Sequence, residues 1–161
     1  MYKRQILESG MLDYSNIIDL SHDVFDDRCI ELLVNHKNAQ IIKTLYLNSC
    51  GLHDDHFLAL LGPKSMLKSL KVLHLDGNCL TNDVMSKIAP LKKLKALSIL
   101  SLSSNRIGAS GASEICGGSD WDYLYFNGNN ASSDDDDIYK LIDWYWSSSI
   151  GDYIDIVDEA R

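Results

Sequence analysis

The strongest constraint on the fold is a short motif that returns along the chain at nearly constant spacing. Its clearest copy, residues 70–80, reads L-x-x-L-x-L-x-x-N-x-L, and other copies lie before and after it. Counted from the first residue of the central L-x-L pair, successive copies start 27, 28, 27 and 24 residues apart. A fixed period in this range indicates a solenoid of stacked repeats. The five starting positions are Ile18, Leu45, Leu73, Leu100 and Leu124.

Each copy predicts a short strand followed by a helix. In Leu73-His74-Leu75 the residues alternate, so both leucines point to one side of a strand and His74 points to the other. Such a short strand is stable only when it pairs with the corresponding strands of neighbouring repeats. Parallel strands are joined by a crossover connection, which is usually a helix. After each motif, apolar residues recur at offsets of three and four, which is typical of an amphipathic helix.

The motif resembles that of the leucine-rich repeat over roughly residues 15–146. The long repeats, and Cys50 in one copy where other copies have Asn, resemble the ribonuclease-inhibitor type. This resemblance implies an α/β solenoid, a right-handed β-α superhelix whose curved parallel sheet lies inside the arc with helices on the convex side.

The Asn of the motif follows each strand, where its amide is expected to bond buried backbone groups of the turn and of neighbouring repeats. A thiol at the same place makes a weaker version of these contacts. The predicted structural ladder consists of Cys50, Asn78, Asn105 and Asn129.

Three segments are expected along the chain. Residues 15–149 form the leucine-rich repeat domain, with five repeats. Residues 1–14 are interpreted as an artefactual start or a truncated cap, because the first five residues resemble a translated sequencing adaptor. On this interpretation the chain is a fragment of a longer protein. Residues 150–161 are an acidic segment or a capping strand, whose carboxylates discourage further edge pairing.

Charge and composition exclude several classes of protein. The net charge is -8, whereas nucleic-acid binders carry a basic face and anionic membranes attract basic proteins. No stretch of 18 apolar residues occurs, so no transmembrane span is predicted. The four cysteines form no C-x-x-C pair, which favours free thiols and a reducing compartment. We expect a cytoplasmic monomer with no nucleic-acid or membrane partner.

Enzyme motifs are missing from the sequence. The Gly108-Ala109-Ser110-Gly111 stretch lacks the Lys-Ser/Thr end of a phosphate loop, and no G-x-S-x-G elbow occurs. We therefore expect no catalytic residues and no cofactor.

Two stretches invite a metal interpretation, and both are better explained as helix starts. His53 and His56 are three residues apart and lack a third ligand within reach in the sequence, so we interpret them as a solvated helix start. The four aspartates at 134–137 lack the EF-hand spacing and are interpreted as the capped first turn of a helix. No metal site is predicted.

The remaining candidate site is the sheet face that the L-x-L leucines do not use. Register stacking places the outward residues of successive repeats in rows across this concave face. The rows combine apolar and aromatic residues with small polar ones, as in an interface, and Tyr is enriched at binding hot spots. Alternatively, the tyrosines are merely β-favouring residues on an exposed sheet. The predicted protein-binding residues are Tyr46, Asn48, His74, Asp76, Ser101, Ser103, Tyr123, Tyr125 and Asn127.

The expected function follows by analogy with the repeat family. We expect a protein–protein interaction module that binds a partner protein through the concave face. The alternative is a recognition or regulatory segment of a larger enzyme or effector, of GTPase-activating or ubiquitin-ligase type, whose catalytic part lies outside this chain.

Overall fold

The computed structural model describes residues 5, 7–8, 15–91, 94–116 and 122–129. Short strands alternate with helices along this part of the chain, in the order that the repeats predict. Short 3₁₀ turns at Ala39–Ile41 and Leu94–Ala96 precede the second and fourth strands. The strands and helices are β1 Ile17–Asp19, α1 Asp27–Asn35, β2 Thr44–Tyr46, α2 Asp54–Leu61, β3 Val72–His74, α3 Asn82–Ile88, β4 Ile99–Ser101, α4 Ala109–Cys116 and β5 Tyr123–Tyr125.

The five strands form one parallel sheet in the order β1-β2-β3-β4-β5. The register pairs the same motif position in every repeat: Leu45 with Leu73, Leu73 with Leu100, and Leu100 with Leu124. An α/β leucine-rich repeat solenoid is therefore confirmed, with each helix serving as the crossover between neighbouring strands.

The core lies between the sheet and the helices and is made by the motif leucines. Leu45, Leu73 and Leu100 have no exposed surface, and the helices contribute residues such as Phe57 and Leu60, which are equally buried. Complete burial of such a side chain stabilises the fold by about 1.5–3 kcal/mol. Because every repeat contributes the same set, the core is continuous along the solenoid.

Two helix ends have clear local causes. Asp26 caps α1 by accepting from the Cys29 N–H at 2.8 Å, and Gly62 ends α2. The predicted helix cap at residues 134–137 and the predicted capping strand at 150–161 lie outside the described residues, as does most of the segment 1–14.

A buried ladder of polar side chains joins the repeats beneath the sheet edge. Asn78 Nδ2 donates to the carbonyls of Leu47 and Leu75, at 2.9 and 2.8 Å, and its Oδ1 accepts from the Cys50 N–H at 3.0 Å. The Cys50 thiol donates to the Leu20 carbonyl at 3.2 Å, which is the weaker version expected of sulfur. Asn105 and Asn129 continue the same pattern.

One row of residues just beyond the strands has left-handed backbone geometry. Its φ values are positive, between 53° and 67°. The bend turns each N–H toward the next repeat, so that the Ser49 N–H donates to the Asp76 carbonyl at 2.7 Å. The bend therefore satisfies a backbone donor and links neighbouring repeats. The row consists of His22, Ser49, Gly77, Ser104 and Gly128.

Candidate protein-binding face

The concave face is the sheet surface opposite the helices, and its rows follow the register of the strands. The pairing places Tyr46 beside His74, His74 beside Ser101, and Ser101 beside Tyr125. Asp19 extends this middle row at the first repeat. The rows predicted from the repeat spacing are therefore the rows that the sheet presents.

Aromatic side chains form the most distinctive part of this face. The rings of Tyr46 and His74 are stacked, with centroids 4.6 Å apart and planes inclined by 18°. The rings of Tyr123 and Tyr125 are parallel to within 5°, with centroids 6.2 Å apart. We call these four residues the aromatic strip. Tyr123 is 41% exposed and the other three are half-buried, so each ring is held on one side and accessible on the other.

Ser101 is less accessible than expected for a binding residue. It is only 4% exposed, and its hydroxyl donates to Oδ1 of Asp76. The physical reason is the small size of the serine side chain. It lies between the larger side chains of His74 and Tyr125 in the same row, and these shield it from solvent. Ser101 therefore acts by orienting Asp76.

The polar row beside the strip is itself a ladder. Ser21 Oγ accepts from the Asn48 N–H at 3.1 Å, Asn48 Oδ1 from the Asp76 N–H at 2.9 Å, and Asp76 Oδ1 from the Ser103 N–H at 2.8 Å. Asn48, Asp76 and Ser103 are thus held in place by the fold, and Asn127 lies exposed at the far end of the row. This second ladder was not predicted.

The concave face is neutral to acidic. Its four rows consist of residues 17, 44, 72, 99 and 123; 19, 46, 74, 101 and 125; 21, 48, 76, 103 and 127; and 22, 49, 77, 104 and 128. Asp19 and Asp76 are the charged residues in these rows, which contain no Lys or Arg. Burial lowers the pKa of His74 below its usual value, and the negative charge of Asp76 only partly offsets this. His74 therefore presents an uncharged ring at neutral pH.

The interpretation of His53 and His56 as a solvated helix start is wrong for His56. Its ring is buried, with 9% exposure, and its Nε2 lies 2.8 Å from Oδ1 of Asp27 in the preceding repeat. The reason is the stacking of α2 on α1, which covers the ring. Among the residues described by the structure, no group of three or more His, Cys, Asp or Glu side chains is arranged to hold a metal ion.

Contacts between the starts of neighbouring helices were missed by sequence reasoning. Asp54 accepts from the N–H and the hydroxyl of Thr81, at 2.8 and 2.6 Å, and Asn82 Oδ1 accepts from the Gly108 N–H at 2.8 Å. With Asp27 and His56 they connect all four described helices. The sequence does contain a pattern that could have predicted these contacts. Short side chains that can accept hydrogen bonds recur at positions 27, 54 and 82, at the spacing of the repeats.

A groove on the convex side was also not predicted. It lies between α1 and α2, has a volume of about 610 Å³, and is also lined by the turn at residues 62–65. Its apolar lining comes from Ile30, Val34, Leu58 and Ala59. This groove is the alternative to the concave face as a candidate contact surface.

The comparisons with known proteins agree with this architecture. A family model described as Leucine Rich repeat matches residues 67–89 and 93–116, two consecutive repeats in the middle of the chain. Leucine-rich repeats generally mediate protein–protein interaction and are usually not catalytic. No curated protein matches the sequence significantly. Within the residues described above, no helix is long and apolar enough to cross a membrane.

Two solved structures share the fold at low sequence identity. The C-terminal domain of tropomodulin from Caenorhabditis elegans is 11% identical, with a TM-score of 0.56 over 89% of this chain and 93% of that one. A structure of the Chaetomium Mex67:Mtr2 subunits is 19% identical, with a TM-score of 0.55 over 87% of this chain and 99% of that one. Together with the five-stranded parallel sheet, these similarities show that the chain has the leucine-rich repeat fold, with two of its repeats matched by the family model.

Proposed function

We propose that this protein is an interaction module that binds a partner protein through its concave face. The observation that carries the proposal is the aromatic strip, which stands on a sheet whose rows are fixed by two hydrogen-bonded ladders. Aromatic side chains that the free protein already holds in one conformation lose little conformational entropy on binding, and this is one way in which Tyr contributes affinity at interfaces.

The chemistry of the face supports binding more than catalysis. Oδ1 of Asp76 accepts from the Ser101 hydroxyl and the Ser103 N–H, and His74 stacks on Tyr46, so these side chains are positioned by contacts within the fold. The Ser101 hydroxyl donates to the Asp76 carboxylate, but Ser101 is only 4% exposed, so the hydroxyl is poorly placed to attack a bound substrate.

The proposal is tested by affinity capture from a lysate of the source organism. The baits are the wild type, a Tyr46→Ala/Tyr125→Ala variant and a Val24→Ala control. Val24 is 81% exposed and lies outside the concave rows, so its truncation removes apolar surface without touching the face. Circular dichroism and thermal unfolding establish that all three are folded.

We expect a partner that the wild type and the control retain and that the tyrosine variant loses. Truncation of a hot-spot residue costs about 2 kcal/mol or more, which corresponds to a loss of affinity of about thirtyfold. If all three baits retain the same partner equally, the concave face is not its site, and the groove between α1 and α2 becomes the leading candidate.

A further inference from the structure

At one place on the concave face the aromatic strip adjoins a carboxylate. His74 and Asp76 are two residues apart where β3 ends, so their side chains lie on the same face of the sheet. The His74 ring also stacks on Tyr46 of the neighbouring strand, with centroids 4.6 Å apart. A pair of flat rings and an anion therefore share one patch of surface.

The Asp76 carboxylate is oriented by the fold and has binding capacity left over. Its Oδ1 accepts from the Ser101 hydroxyl and from the Ser103 N–H. No hydrogen bond to its Oδ2 occurs among the residues that the structure describes. An ionised carboxylate accepts at both oxygens, so Oδ2 can take a bond from outside the chain.

The concave rows supply no cation to this patch. The concave rows hold two aspartates and no Lys or Arg, and the environment of His74 keeps its ring neutral. A neutral ring offers its π face to a cation, and a carboxylate beside it offers the counter-charge.

We propose that the partner places an arginine side chain here, with its guanidinium plane against the face of the His74 ring that is turned away from Tyr46 and an N–H donated to Oδ2 of Asp76. Guanidinium is planar and stacks on rings while donating in its own plane, whereas an ammonium group is compact and more strongly hydrated. The inference rests on the proposed function of the concave face and names the chemistry that the face selects.

The test uses a displayed library of random peptides, selected on the wild type, and affinities of the selected peptides measured by titration. The Asp76→Asn variant removes the charge and keeps the Oδ1 acceptor of the ladder; Asn48 already fills the same role one repeat earlier. The matched control is Asp83→Asn, which removes an exposed carboxylate from α3, away from the concave rows.

We expect the peptides that require Tyr46 to share an arginine. Asp76→Asn lowers their affinity about tenfold or more, because a charged hydrogen bond to an ionised partner is lost, while Asp83→Asn has little effect. Replacing the peptide arginine by glutamine has a similar effect, and the two changes together cost no more than either alone, since they remove the same contact.

The outcomes separate the inference from the function on which it rests. Peptides that require Tyr46 but tolerate Asp76→Asn, or bind equally well with lysine for arginine, would overturn the arginine inference and leave concave binding intact. Peptides that bind the Tyr46→Ala/Tyr125→Ala variant as well as the wild type would overturn both. A shared arginine with a coupled loss at Asp76 supports both.

Discussion

The Nε2 atom of His56 lies 2.8 Å from Oδ1 of Asp27, which stands 29 residues earlier in the preceding repeat. The other ring nitrogen, Nδ1, accepts from the N–H of His53 at 3.1 Å. The neutral ring therefore carries its proton on Nε2 and donates it to Asp27. One buried ring joins the starts of α1 and α2.

We expect His56→Ala to lower the free energy of unfolding by about 2 kcal/mol, because it removes a buried ring and leaves the His53 N–H without its acceptor. Urea denaturation measures the loss. The control is Asp27→Asn, which keeps an acceptor opposite Nε2 and should have a much smaller effect, because the Asp27 side chain is fully exposed and its charge is screened by solvent. Equal losses in the two variants would show that the ring itself contributes nothing.

Asn105→Ala should destabilise the protein by about 3 kcal/mol or more, because several buried backbone groups lose their partner at once. Asn105 is 4% exposed; its Nδ2 donates to the Leu75 and Leu102 carbonyls, and its Oδ1 accepts from the Leu80 N–H. Asn48→Ala on the half-buried concave row is the matched control, with an expected loss of about 1 kcal/mol. A smaller loss at Asn105 than at Asn48 would contradict the ladder assignment.

Ser104→Gly should stabilise the protein by about 0.5 kcal/mol. Ser104 has a φ of 54°, where a side chain is strained, and removing the Cβ relieves more strain than glycine loses in chain entropy. Thermal unfolding detects the change as a higher Tm. The reciprocal variant is Gly77→Ala, which at a φ of 67° should destabilise by about 1 kcal/mol. The same sign in both variants would contradict this account.

The lowered pKa of His74 predicts a pH dependence of stability. Burial disfavours the charged ring in the folded state, so below a pH of about 6.5 the unfolded chain binds more protons than the folded one. This contribution is fully present above that pH and is lost as the pH falls through the lower folded-state pKa. Urea denaturation from mildly acidic to neutral pH should therefore show a steeper loss for the wild type than for His74→Gln. Parallel curves would rule out His74 as the source.

The strands and their register could be predicted because the repeat supplies the same information several times. Leu45, Leu73 and Leu100 occupy one motif position, and stacking in phase is the arrangement that buries all of them. The rows of the concave face follow from that register without further assumption, and Tyr46 and His74 lie side by side for this reason.

Contacts between side chains of different repeats could not be predicted from any one repeat. Whether His56 is solvated depends on Asp27 and on how closely two helices approach, and neither is visible in the residues around His56. The burial of Ser101 likewise depends on the height of its neighbours across the sheet. Comparing equivalent positions in successive repeats gives part of this information, as Asp27, Asp54 and Asn82 show.

The polar row on the concave face has a consequence for how such a molecule changes in size. Each link, from Ser21 to Asn48 to Asp76 to Ser103, joins a side chain to the backbone of the next repeat alone. A whole repeat inserted in phase could form the same side-chain to backbone hydrogen bonds with the repeats on both sides of it. The concave face can therefore be widened or narrowed by duplication or deletion of a repeat, in increments of one strand spacing, about 4.8 Å.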